Sequence, residues 1–541
     1  MSRSWSRYTQ DGVPFSDLIL PTTRSNAAGL THAVITSYDI DYQWLSTILP
    51  TKNSAQPGRK ALPGPELTFL TSEKTGLPIG THAAGPPGWN FNVRKELRKE
   101  HSCPHIKLLL LFYPDRLRMG ILTGNMIEYD WSTLENAAFL QDFPILPGER
   151  RDTSTDVYDQ MSMVLSSMGL PRQHVAFQAL ARYDLTKGPT IVASIATDVP
   201  VKGWDKISKV GLGRLAVKSR DLMGGAVLGG GLELEAQGSS MGMYSQRWLQ
   251  QFHLAASGAE LSRCIPLPAA QGAATRRYGA EIGRPGKEWP PIKVVFPTRD
   301  FVLRESAPGP GNGHCHFGKP DAFHRWKHLC YQARGARLPG LLMHQKAILA
   351  LKPGFTSSFS STTASSSASS SSSFFGKGNT TGQTAPRTAD VDVDADAGPS
   401  AIIGYTYLGS ANFTMAAWGN LALPSQNNNE RVHGSSSAPG EVGLTANNWE
   451  LGVLLPFRRS DLSPEAELSS NARSAICWER PLRAYRSAGV AAEPAAAAGA
   501  GLGAGAGLGA GLGAGVGGED GDVPWLSEEN QHRPSTRPPR R

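Results

Sequence analysis

The sequence predicts an α/β protein built as two similar halves, each a mixed sheet flanked by helices. Three observations carry that expectation. Short continuous apolar runs of strand length alternate with helical patterns along most of the chain. A His-x-Lys…Asn constellation occurs twice. Two low-complexity segments add length without contributing to a core, and the second of them is dense in the surplus Gly (59 in the chain).

The elements follow in order. Residues 1–26 form a polar N-terminal extension whose start, Met1–Arg7, lacks the apolar stretch of a signal peptide. The first half is expected over 27–200. It opens with a strand-type run, His32–Tyr38, and a helix-like Trp44–Leu49. Ile106–Phe112 and Leu117–Leu122 are apolar runs, interrupted only by Lys107 and Arg118, and flank a Pro114-Asp115-Arg116 turn, as strands buried on both faces do. Ile191–Ala196 is a further strand. The second half is expected over 201–490, with helices around Gln246–Phe252 and Phe323–Leu329. Its strands are expected at Ile292–Phe296, Ala347–Leu351, Ile402–Leu408 and Leu451–Leu455.

Between two of those strands lies Pro353–Ser400, with Ser/Thr runs and an alternating Asp390–Asp396 stretch. It holds too few bulky apolar residues to offset its ordering entropy and reads as a flexible insert. The Asp run lacks the Gly turn and closing Glu of a calcium loop and reads as a solvated acidic loop. Residues 491–521 are an Ala/Gly-rich low-complexity segment, and 522–541 a C-terminal tail ending in Arg533, Arg537, Arg540 and Arg541. That tail reads as solvated, with DNA contact or nuclear import as the second reading.

Composition narrows the function. With 54 Lys+Arg against 46 Asp+Glu, the net charge of +8 permits a polyanionic partner without demanding one. Five scattered cysteines (103, 264, 315, 330, 477) exclude a disulfide scaffold and suggest a reducing compartment. No window approaches the roughly 18 consecutive apolar residues of a membrane span, so no membrane association is expected. His314-Cys315-His316 lacks a second ligand pair and reads as a loop, so no metal site is expected.

The chemistry lies in the duplicated motif. His105-Ile-Lys107 and His344-Gln-Lys346 each lead into an apolar strand, where residues i and i+2 share a face. Each is later followed by a small-residue turn ending in Asn, at Asn125 and Asn412, and then by Trp131 and Trp418. His105 precedes Asn125 by 20 positions and His344 precedes Asn412 by 68; the excess of 48 is the length of the 353–400 segment. An internal duplication with an insert in the second hairpin explains both spacings. Two imidazoles of this kind suit phosphodiester transfer, one attacking phosphorus and the other exchanging a proton with the leaving oxygen and then with water. Two Lys and two Asn supply donors for the non-bridging oxygens, so no metal cofactor is required.

These motifs resemble the phospholipase D superfamily and, within it, the tyrosyl-DNA phosphodiesterases. The common superfamily pattern His-x-Lys-x4-Asp would put Asp at positions that hold Phe112 and Leu351. Its replacement by His-x-Lys…Asn marks the tyrosyl-DNA phosphodiesterase branch. Thr36–Asp41, Leu108–Tyr113, Tyr129-Asp130-Trp131, Ser410–Gly419 and Glu450–Val453 agree with that branch, over roughly 27–352 and 401–485, with a last piece at Asp522–Trp525.

The resemblance implies two phospholipase D-like α/β/α halves, a monomer in the nucleus, and DNA 3′ ends linked to a topoisomerase I-derived peptide as substrate. His105 would be the nucleophile and His344 the proton donor and acceptor. Lys107, Lys346, Asn125 and Asn412 would hold the phosphate, and Glu450 would orient His105. The family's amide partner to the acid/base His falls at Asn136. Its Ser-Ser-x-Gly-Ser DNA contact appears as Ser239-Ser240-Met241-Gly242-Met243, and its base-stacking aromatic as His101. A hydrolase of another phosphodiester and an inactive DNA-end-binding homologue are the alternatives.

Overall fold

The computed structural model describes residues 2–3, 14–19, 29–49, 65–71, 80–82, 89–93, 102–227, 231–264, 289–306, 316–318, 320–336, 340–358, 398–422, 442–463, 466, 470–486 and 522–526. His101, the 314–315 pair, the Asp390–Asp396 run, the 491–521 segment and the terminal arginines lie outside them.

The duplication is visible in strand order. In the first sheet the neighbours run 137–144, 116–122, 108–112, 32–36, 66–71, 89–93, with edge strands at Ser2–Arg3 and Gly80–His82. In the second they run 448–458, 402–409, 347–351, 233–237, 292–296, 330–332, with Thr190–Ser194 added beside 448–458. Directions match as well. The 32–36 strand is antiparallel to 108–112 and parallel to 66–71; the 233–237 strand is antiparallel to 347–351 and parallel to 292–296. Thr190–Ser194, expected in the first half, thus belongs to the second sheet.

The apolar runs form strands because both of their faces are covered. Leu108, Leu110 and Phe112 enter one core, while the alternating Leu109 and Leu111 enter another. In the second sheet Ala347, Leu349 and Leu351 face the same core as Leu108, and Ile348 and Ala350 face a third. The central core is therefore shared by both sheets, together with the helices Asp156–Ser167 and Val175–Leu180. Helices Phe15–Ile19 and Tyr42–Ile48 cover the outer face of the first sheet. Gly211–Met223 and Gln246–Ala256 cover that of the second. Local signals set the helix starts: the side chains of Asp41, Thr155 and Ser245 accept from the N–H of Trp44, Tyr158 and Trp248.

The two motif hairpins share one register. Leu108 pairs with Ile121 and Ala347 with Leu408, in each case three residues after the His and four before the Asn. The insert is not wholly separate from the fold. Its first residues form a helical turn, Phe355–Ser358, in which Thr356 is buried, bonds Glu233 and accepts 2.7 Å from Arg480 Nη2 through its carbonyl. The expectation of a free-standing 353–400 segment is corrected at that end; residues 359–397 lie outside the described set.

Candidate active site

Two short cross-connections bring the motifs together. Cys103–Pro104 pairs in parallel with Asn448–Trp449, which sets His105 beside Glu450. Glu135 forms a bridge with Met343, and His344 N–H donates 2.9 Å to the Glu135 carbonyl, which sets His344 against the first half.

His105 Nδ1 lies 3.0 Å from Glu450 Oε2. Glu450 is itself fixed by Ser410 Oγ, which donates 2.5 Å to Oε2, and by Asn448 Nδ2, which donates 2.9 Å to Oε1. A carboxylate 1% exposed is tolerable only with such partners. On the other side, His344 Nδ1 lies 3.2 Å from Oδ2 of the fully buried Asp130. Asp130 Oδ2 also accepts 2.6 Å from the backbone N–H of Asn125.

The lysines repeat each other. Lys107 Nζ donates 2.8 Å to its own His105 carbonyl, and Lys346 Nζ donates 2.6 Å to that of His344 and 3.1 Å to Thr123 O across the halves. Asn412 Oδ1 accepts from the N–H groups of Ser239 (3.0 Å) and Ser240 (3.1 Å), leaving its amide Nδ2 as the donor for a ligand. Asn125 Oδ1 is buried without a hydrogen-bond partner.

The charges interact strongly because the site is buried. Burial first, then Lys107 and Lys346, pulls His105 below the ordinary imidazole range, against the opposing Glu450. Burial, then Lys346, brings His344 down to about 4, against Asp130. Burial lowers Lys107 to about 8, opposed most by Glu450. For Asp130 burial acts upward, but His344, the Asn125 N–H and Lys346 outweigh it and hold the carboxyl at about 2.

His105, Lys107, Asn125, His344, Lys346, Asn412 and Glu450 are therefore gathered as one cluster. Two sequence-based expectations are corrected. Asn136 is not at His344 Nδ1: its Oδ1 accepts 2.9 Å from Thr123 Oγ1 and its Nδ2 donates 2.6 Å to the Asp130 carbonyl. A side chain this short is held by its own turn. In the stretch expected to contact DNA, the N–H groups of Ser239 and Ser240 are taken by Asn412, while Gly242 is buried against Tyr244. Ser240 is only half-buried and Met243 is exposed.

Sequence reasoning missed Asp130, Ser410 and Thr123. The available signal was a carboxylate between Tyr129 and Trp131, five positions after Asn125. His316, the described member of the 314–316 group, is buried with Nε2 3.1 Å from Met343 O and its ring 6.4 Å from that of His344. Among the described residues no group of His, Cys, Asp and Glu could hold a metal ion, and no helix is long and apolar enough to cross a membrane.

Comparison with known proteins bears on the fold and the family. A crystal structure of the yeast tyrosyl-DNA phosphodiesterase covers 84% of this chain and 89% of its own at TM-score 0.50 and 13% identity. A mutant of that yeast protein covers 90% and 97% at TM-score 0.53 and 12% identity. These likenesses show the fold. Tyrosyl-DNA phosphodiesterase 1 of Arabidopsis thaliana is 25% identical over 112 residues, 21% of this chain and 17% of that relative. The family model described as tyrosyl-DNA phosphodiesterase matches residues 6–487, a span that includes both His-x-Lys…Asn sets. With its duplicated sheets and paired His-x-Lys…Asn sets, the chain belongs to the tyrosyl-DNA phosphodiesterase family of the phospholipase D superfamily.

Proposed function

We propose that this protein hydrolyses the 3′-phosphodiester between DNA and a topoisomerase I tyrosine, and other 3′ adducts, without a metal and through a phosphohistidine intermediate. The observation that carries the reading is the pairing of two imidazoles, one from each motif, with a carboxylate each, His105 with Glu450 at 3.0 Å and His344 with Asp130 at 3.2 Å.

Glu450 holds Nδ1 of His105 and so leaves Nε2 as the nucleophilic nitrogen. Its depressed basicity keeps that nitrogen unprotonated at neutral pH. Attack forms the Nε2–P bond and breaks the P–O bond to tyrosine, whose oxygen takes a proton from His344. Water then attacks phosphorus, gives a proton to His344 and displaces His105, leaving a 3′-phosphate. His344 must be protonated for the first step. The incoming phosphate works toward that condition, because its negative charge offsets Lys346 and Lys107, which add to burial, the larger cause, in holding His344 low. The two ammonium groups and the Asn412 amide stabilise charge on the non-bridging oxygens. On this proposal the protein works on DNA in the nucleus, and it is proposed to act as a monomer.

The test is incubation with a 3′-phosphotyrosyl oligonucleotide in EDTA. The expected product is the 3′-phosphate; a requirement for metal would refute the mechanism, and no turnover with or without metal would refute the activity. His344→Ala is expected to leave a covalent protein–DNA species that His105→Ala never forms. The reverse pattern would exchange the two roles.

A further inference from the structure

The internal symmetry of the fold shows what ought to orient His344, and that the molecule uses something else. Leu122 pairs with Ala138 as Gly409 pairs with Gly452, so Asn136 and Glu450 occupy equivalent positions, each two residues earlier. Their surroundings repeat. Thr123 Oγ1 donates to Asn136 Oδ1 and accepts from Ala137 N–H; Ser410 Oγ donates to Glu450 Oε2 and accepts from Leu451 N–H. Glu450 is long enough to serve both Ser410 and the facing His105. Asn136 is shorter, and its two ends are occupied by Thr123 and the Asp130 carbonyl.

The place at His344 Nδ1 is filled by Asp130. Its second-half counterpart, judged by the Asn-to-Trp spacing of six in both copies, is Ala417, so this carboxylate has no symmetry mate. We infer that Asp130 is the positioning residue for His344, replacing the amide at Asn136 and tying the acid/base imidazole to the phosphate-binding turn through Asn125 N–H. The inference rests on the phosphodiesterase reading above. The 3.2 Å contact is at charge-pairing distance without full hydrogen-bond alignment; such contacts commonly tighten when substrate binds. A carboxylate there supports the imidazolium that forms when His344 takes a proton from water, which an amide cannot do by charge.

The experiment compares leaving groups. An oligonucleotide 3′-(4-nitrophenyl) phosphate releases a phenolate that needs no proton, so its first step depends on His105 alone. The second step, water attack on phosphohistidine, still needs His344 as base. Asp130→Asn is expected to give a burst of nitrophenolate near the wild-type rate, then turnover slower by about 100-fold. The covalent protein–oligonucleotide should accumulate on a denaturing gel. With the phosphotyrosyl oligonucleotide its first turnover should fall as well.

Burst and steady rates reduced equally would overturn the inference, since a merely structural residue would act on both. So would trapping by Asn136→Ala but not by Asp130→Asn. If Asp130→Asn does not fold, Asp130→Glu, which keeps the charge and displaces the oxygens, is read by the same burst-to-steady ratio. Wild-type protein that releases neither tyrosine nor nitrophenolate would instead remove the activity itself.

Discussion

Each buried imidazole ties the stability of the fold to pH. His344 sits at about 4 when folded against 6.5 as a free side chain, because burial and Lys346 oppose its charge; His105 is lowered in the same direction. Between those values the unfolded chain binds more protons, so stability rises with pH. It is complete above about pH 6.5 and falls as the pH drops toward 4, by an amount on the order of 3 kcal/mol for His344 alone. Asp130, held at about 2, acts in a lower window: its contribution is present above about 4 and is lost as pH falls through 2. Urea midpoints at pH 7 and pH 5 should therefore differ, with the lower value at pH 5, and His344→Asn should narrow the gap. An unchanged gap would assign the pH dependence to other groups, His32 first, which burial also lowers to about 4. The site's six His, Lys and Asn residues were legible because they repeat. Glu450 came through resemblance, and Asp130 escaped because a single residue with no symmetry mate leaves no repeat to read.

Among the elements, apolar strands were readable and polar ones were not. Ile292–Phe296 and Ala347–Leu351 have the bounds expected of them. Glu233–Gln237, at the centre of the second sheet, was missed because Glu235 and Gln237 give it a surface appearance. Glu235 is buried there because Arg480 meets it at 2.9 Å and Trp478 Nε1 donates to it at 2.9 Å. The same arginine bonds the Thr356 carbonyl, and Phe355 packs against the shared core. That contact divides the insert. Deleting 360–396 should leave activity and melting temperature close to those of the full chain. Deleting 353–400 removes the Phe355–Ser358 turn, leaves an Arg480 donor without its carbonyl, and should cost about 1–3 kcal/mol. Thermal melts of the two deletions decide it; equal values would mean that the turn contributes nothing.

At the scale of the molecule, the two halves were legible as a repeat in spacing but not as one folding unit. The repeat says nothing of the central core, where Leu110 and Met119 of the first sheet share a cluster with Leu349 and Val453 of the second. Nor does it foresee that Thr190–Ser194 crosses to pair with Leu454–Glu450. Both follow from chain crossings that periodicity cannot encode. Their consequence is cooperative unfolding. Trp131 reports on the outer face of the first sheet, Trp449 and Trp478 on the shared core, and Trp248 and Trp418 on the outer face of the second. Neither sheet can lose its inner face without exposing the other's, so no stable half should remain. Indole fluorescence and far-ultraviolet dichroism should therefore pass through one coincident transition in urea. Trp131→Phe should leave that midpoint curve single, since the remaining indoles report the same event. Two separated transitions would show that the halves fold independently, and that the junction bearing both histidines is a docking surface between domains rather than part of a common core.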